Sequence, residues 1–242
     1  MRCTLPALAV LSLSAPASAA FVGWAAYSRV DAATSTVFVD VFANFDGASD
    51  RVLNVFNANV GASGAGFLQS GAIAKKAWSP QIGQTVDDRD SFMTIGGAVA
   101  GDEFYASSST GGDPSFTSTA GAWNPTILST PSTSVPTNAG WFAGNPNSSD
   151  IIAIDLDGAS GGSWQNRTAA YGVWVAHFAF DAASVSAGAT VNFNAKVGYK
   201  ANSNPGSPLF GNDSRVFAIP APGAIALLGA AGLVGVRVRV RG

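Results

Sequence analysis

The sequence predicts an all-β body, a single antiparallel β-sandwich that is jelly-roll-like in strand number. Three observations predict it. Several segments alternate apolar and polar residues with period two, the mark of a strand with one buried face. Between the two ends no window of a dozen residues combines a 3.6-residue apolar period with helix caps. Connections are rich in Gly, Asn, Asp and Ser, and Gly alone numbers 28, which suits a chain of many short strands.

Taken in order, residues 21–28 form a short strand candidate. Residues 35–45 (STVFVDVFANF) alternate, and the wholly apolar set Val37, Val39, Val41 and Ala43 is placed toward the core, with Phe38, Asp40, Phe42 and Asn44 opposite. Residues 51–60 (RVLNVFNANV) put Val52, Asn54, Phe56, Ala58 and Val60 on one face. The intervening 46–50 is a turn by composition, so the two segments read as a hairpin. Residues 92–95, 104–106 and 150–156 are shorter candidates. Residues 172–180 (GVWVAHFAF) are apolar on both faces and read as a central strand. In 190–197, Val191, Phe193, Ala195 and Val197 alternate with Asn192, Asn194 and Lys196, a half-exposed strand. The stretch 107–149 is rich in Ser, Thr, Gly and Pro with isolated aromatics. It reads as a long excursion from one domain, because a linker has no use for anchoring rings.

Apolar residues make up 47% of the chain and charged residues 12%, so polarity rests on neutral groups while enough aromatic and branched residues remain for a core. All 15 acidic residues lie between Asp31 and Asp213. Between the two ends nine basic residues face them, a net of −6. Without a basic cluster, nucleic acid is excluded as a partner. The one cysteine, Cys3, lies in the leader, which removes disulfides and thiol chemistry from the body.

Both ends read as trafficking signals. In residues 1–19, Arg2 precedes an apolar run over 5–13, and Ala17-Ser18-Ala19 forms an A-x-A site ahead of Ala20. A signal peptidase would leave a mature chain starting at Ala20 or Phe21. At the other end, Pro220-Ala221-Pro222-Gly223 interrupts the chain, thirteen uncharged residues come next over 224–236, and Arg237, Arg239 and Arg241 close it. Thirteen residues are short for a stable span of about 20, which fits a transient inner-membrane anchor with its arginines held on the cytoplasmic side. An ordinary tail anchor and a last amphipathic strand of alternating Val and Arg are the competing readings.

Residues 220–241 resemble the PEP-CTERM sorting signal of Gram-negative bacteria, in a Pro-Ala-Pro-Gly variant similar to those of planctomycetes. The glutamate of the motif is replaced by Ala221, and the basic end alternates Arg with Val. The resemblance implies an exosortase-like processing enzyme as partner and an exported protein of the cell surface or extracellular polymer. It divides the chain into a signal peptide (1–19), a β-sandwich domain (20–219) and a sorting signal (220–242). The body also loosely resembles cohesin-like and carbohydrate-binding sandwiches, with an N-terminal signal helix and a short C-terminal hydrophobic helix flanking it.

Chemistry has little to work with, and the sequence reads as non-enzymatic. The one histidine, His177, sits inside the most apolar strand and reads as a satisfied core or edge residue. No G-x-S-x-G elbow is present, and the Gly-rich loop 61–66 lacks a P-loop lysine. Asp102-Glu103 contains the one glutamate, and the other acids are aspartates in turn-like settings. No cofactor is expected. Calcium is the one ion considered, at Asp155 and Asp157 in a D-x-D-G turn, with Asp87, Asp88 and Asp90 as a second acidic cluster. Among the loop tryptophans Trp78, Trp123, Trp141 and Trp164, the candidates for stacking on an extracellular polysaccharide are Trp123 and Trp141. The competing role is as pins that fold a loop onto the core.

Overall fold

The computed structural model describes residues 20–68, 89, 91–96, 114–118 (backbone alone), 138–143, 146–147, 149, 151–202, 204 and 206–221. Along them run β1 (Phe21–Asp31), β2 (Thr36–Phe45), β3 (Arg51–Ser63), β4 (Phe92–Met93), β5 (Pro114–Ser118) and β6 (Ala139–Ala143). They are followed by β7 (Ile154–Asp155), β8 (Gly162–Gln165), β9 (Tyr171–Asp181), a 3-10 turn at Ala182–Ser184, β10 (Thr190–Lys200) and β11 (Leu209–Ala218). The described chain is therefore all-β and its strands pair antiparallel. One sheet runs β4-β9-β2-β1-β8, with β7 also paired to β9, and the other runs β11-β10-β3-β6-β5.

The two sheets share one apolar core. Val37, Val39, Val41, Ala43 and Phe45 of β2 enter it from the first sheet, and Val191, Phe193, Ala195 and Val197 of β10 from the second. Both sets are the inward faces that alternation predicts. Rings bridge the sheets, with Trp24 edge-on to Phe193 at 5.0 Å and Phe45 against Tyr199 at 5.2 Å. Such pairs add to what area burial alone supplies.

Residues 46–50 do not close a hairpin. β2 pairs with β1 and β9, whereas β3 pairs with β10 and β6, so this turn carries the chain from one sheet to the other. Among the described strands, β1–β2 and β10–β11 form hairpins. In the first, Asp31 accepts from Ala33 N at 2.8 Å and from Thr34 Oγ1 at 2.7 Å. The Thr34 hydroxyl, then the Ala33 amide, hold the Asp31 carboxyl below its ordinary value.

The predicted face of β3 also needs correction. Val52, Val55, Ala58 and Val60 enter the core, while Asn54 and Phe56 do not. Two irregularities in the β3–β10 register break the alternation, and Asn57 takes φ 51° at one of them. A bulge inserts a residue and so reverses the parity of the strand beyond it. Within the Ser/Thr/Gly/Pro-rich stretch 107–149, residues 114–118 and 139–143 form β5 and β6 and extend the second sheet. Of the predicted strand 150–156, residue 150 lies outside the described residues, and among 151–156 only Ile154–Asp155 forms a strand, beside an isolated bridge from Ile152 to Arg51. Residues 104–106 and both predicted terminal helices lie outside the described residues.

Side chains tie the sheets together along one side. Gly23 adopts φ 135° at a bulge in β1, a conformation L side chains rarely take. Beyond it, Trp24 N donates to Asp213 Oδ2 at 2.9 Å, and Trp24 Nε1 donates to the Asp213 carbonyl at 3.0 Å. Nearby, the Gln165 amide pairs with Ala218 as a strand backbone would. Its Nε2 donates to the carbonyl at 2.9 Å and its Oε1 accepts from the amide at 2.7 Å.

Candidate functional site

The antiparallel register assembles one row across the outer face of the first sheet. Trp164 on β8 stands opposite Tyr27, Tyr27 opposite Asp40, Asp40 opposite His177, and His177 opposite Phe92 on β4. Residues directly opposite share a face, so the alternation in β2 that sends Val39 and Val41 inward sends Asp40 into this row. A bulge in β9 between Ala176 and Trp174 sits next to the pair.

At the centre His177 Nδ1 lies 2.5 Å from Asp40 Oδ1. Arg29 Nε approaches the other carboxylate oxygen at 3.6 Å, with its guanidinium 4.5 Å over the Phe38 ring. Phe92 stacks on the imidazole at 4.8 Å, Phe38 lies 5.1 Å away, and Trp174 meets it edge-on at 5.7 Å. Asp40 is 0% and His177 1% exposed. A carboxylate orienting an imidazole is the base half of an acid–base arrangement. Buried to this degree, it is closed to a dissolved substrate and acts as a polar tie between β2 and β9.

A second buried acid sits where the chain crosses between sheets. Asp50 Oδ1 accepts from Asn202 N at 2.9 Å and its carbonyl accepts from Ala153 N at 2.7 Å, joining three segments. Its Oδ2 is buried without a hydrogen-bond partner. Burial raises the Asp50 carboxyl above its ordinary value of 3.8; the Asn202 amide opposes this and the Asp46 charge adds to it.

In the considered calcium turn, Asp155 Oδ1 accepts from Asp157 N at 2.8 Å, and the Asp157 carboxylate pairs with Arg167. Asp157 thus already has a cation. Among the described residues no three His, Cys, Asp or Glu side chains gather into a metal-holding group. Arg167 also lies over the Trp164 ring at 5.2 Å, and Trp164 packs on Tyr27 at 5.0 Å and Phe42 at 5.2 Å.

Trp141 does not stand in a loop. It is on β6, 1% exposed, with Nε1 donating to the Thr94 carbonyl at 3.0 Å, and so offers no open face to a sugar. It pins β6 to the segment after β4. Trp78, Trp123, Asp87, Asp88, Asp90, Asp102 and Glu103 lie outside the described residues, as do Ala17, Ala19, Pro222, Gly223, Arg237, Arg239 and Arg241. Ala20, Pro220 and Ala221 are described, and they flank β1 and β11. Among the described residues no helix is long and apolar enough to cross a membrane.

Sequence reasoning missed the partners of His177. Asp40 could be found as the charged member of the outer set of β2, but Arg29 joins it only through the β1–β2 register. No family model, no curated protein and no solved structure matches the chain.

Proposed function

We propose that the chain is an exported, non-catalytic protein of the cell surface or extracellular matrix, built as a single β-sandwich and sorted through its C-terminal segment. The reading is supported by where the strands stop. β1 begins at Phe21, directly after the A-x-A site and Ala20. Among the described residues the last in the core is Ile219, whose amide donates to the Ala189 carbonyl at 2.9 Å, and Pro220 comes directly after it. Cleavage after Ala19 and near Pro220–Pro222 would therefore leave every described strand whole.

The new terminus would also find a partner. Ala20 N lies 2.5 Å from Asp46 Oδ1, so an ammonium released there by signal peptidase gains a carboxylate, a charge-assisted bond. At the other end the exosortase-like step acts within residues 220–242, which follow the last described strand.

Replacing Ala19 by a bulky residue tests the first cut, and replacing Pro220 and Pro222 by Ala tests the second. In the native host the Ala19→Leu variant accumulates with its leader attached, and the proline variant stays membrane-bound with its arginines. Normal processing and release of both variants would sink the reading. Carbohydrate binding through loop tryptophans gains no support from Trp141, which is buried.

A further inference from the structure

The outer face of the second sheet carries a different set of groups. Phe210 is 69%, Val216 57% and Phe142 40% exposed, unusual for residues of this size. The register sets Phe142 and Phe210 at the two ends of one row. Phe142 stands opposite Asn54, Asn54 opposite Gly198, and Gly198 opposite Phe210. Because Gly198 has no side chain, Phe56 on β3 and Phe210 on β11 reach over β10 and meet edge-on at 6.1 Å. A Cβ at Gly198 would collide with Asn54 Oδ1, which lies across the same position.

Around this aromatic pair the outward residues are amides and cations. Asn192, Asn194 and Asn212 are exposed beside Ser214, with Asn59 on β3. Lys196 stands between Phe56 and Asn212, and Lys200 stands opposite Arg51. Lys196 and Lys200 are separated by about 13 Å along the strand. Among the described residues none of these three cations has an ion-pair partner, and the described outward residues of β3, β10 and β11 include no carboxylate. Asp213 points the other way, to Trp24 and Arg215. In a body of net charge −6, this is a local inversion of sign.

We propose that this face binds an acidic polysaccharide, a polymer carrying uronate-type carboxylates. The inference deepens the surface-or-matrix reading and rests on it. Lys196, Lys200 and Arg51 meet the carboxylates, the asparagine amides serve the hydroxyls with both donors and acceptors, and Phe56 and Phe210 take the apolar faces of the rings. Complementary charge sets both encounter rate and partner choice. A nucleic acid would need a denser basic footprint than three side chains. An apolar partner or a lipid surface would leave the amides unmatched.

The test is binding of the purified full chain to soluble polygalacturonate, with dextran as a neutral probe, anionic lipid vesicles as a surface probe, and sedimentation for self-association. Binding to polygalacturonate that weakens with salt, and is absent on dextran, is expected. Lys196→Gln and Phe210→Ser should each weaken it by roughly three- to ten-fold, and Arg167→Gln, away from the face, should not. Unchanged thermal unfolding of the two face variants separates lost binding from lost folding. The inference is overturned by no binding, by equal binding to dextran, or by binding to vesicles alone. It is also overturned by a dimer that Phe210→Ser dissolves without any polymer bound. Such a failure leaves the export reading standing, since that reading is tested at the chain ends. A cytoplasmic, unprocessed chain that still bound polygalacturonate would fail the export reading alone.

Discussion

His177 Nδ1 lies 2.5 Å from Asp40 Oδ1 between two adjacent strands, and neither residue is more than 1% exposed. An arrangement of this kind ties β2 to β9 at one register, because slipping either strand by a residue would send one partner to the other face. Cutting one side of it removes the carboxylate that a buried imidazole faces. Asp40→Ala should cost about 3–5 kcal/mol in unfolding free energy. The double replacement of Asp40 and His177 by Ala should cost clearly less than the Asp40→Ala and His177→Ala losses added together, because neither remaining side chain then needs a partner. Denaturant titration of the four proteins measures this coupling, and strict additivity would show that the pair contributes no interaction of its own.

Asp50 gives a prediction about pH. Its carboxyl is raised above 3.8 mainly by burial, so the folded state holds this proton more tightly than the unfolded chain does. Whatever stability the protonated acid supplies is complete below pH 3.8 and is lost as pH rises through the folded value. Asp50→Asn keeps an oxygen that can accept from Asn202 N and removes the charge. It should therefore stabilise the protein near neutral pH, with the gain shrinking toward zero as pH falls below 3.8. Melting temperatures of both proteins across roughly pH 3 to 8 read this out, and a gain that grew on acidification would have the wrong sign.

Trp141 separates a pin from a ligand platform. Buried and bonded to the Thr94 carbonyl, it should cost about 3–5 kcal/mol on replacement by Ala, as large core truncations do. Urea unfolding measures it. A loss under about 1 kcal/mol would mean that the indole is not the anchor its burial indicates.

Much of this architecture is legible in the residues, and the failures have physical causes. The inward face of β10 comes from alternation of apolar residues with polar ones, and that of β2 from a wholly apolar set opposite a mixed one. β3 defeats the same rule because its bulges shift the parity, which turns Asn54 and Phe56 outward. β11 does not stand out as a strand because two of its inward positions are Asp213 and Arg215, which serve the tie to Trp24 rather than the core. β8 is four residues of Gly, Ser, Trp and Gln on a sheet edge, too short for a pattern. The turn 46–50 has hairpin composition but connects two sheets, since composition reports a reversal and not its partners. The buried row is half legible: His177 can be placed in a core, whereas its carboxylate partner is 137 positions away. The cation-bearing face is not legible, because it depends on the register of three strands and on the missing side chain of Gly198.

Both chain ends still carry the central claim, and one measurement bears on it directly: the intact mass of the protein isolated from its native host. The expected species begins at Ala20 and ends near Pro220–Pro222, recovered from the envelope or the extracellular material. A mature, envelope-located protein that retained Arg241, or a cytoplasmic chain still beginning at Met1, would contradict it.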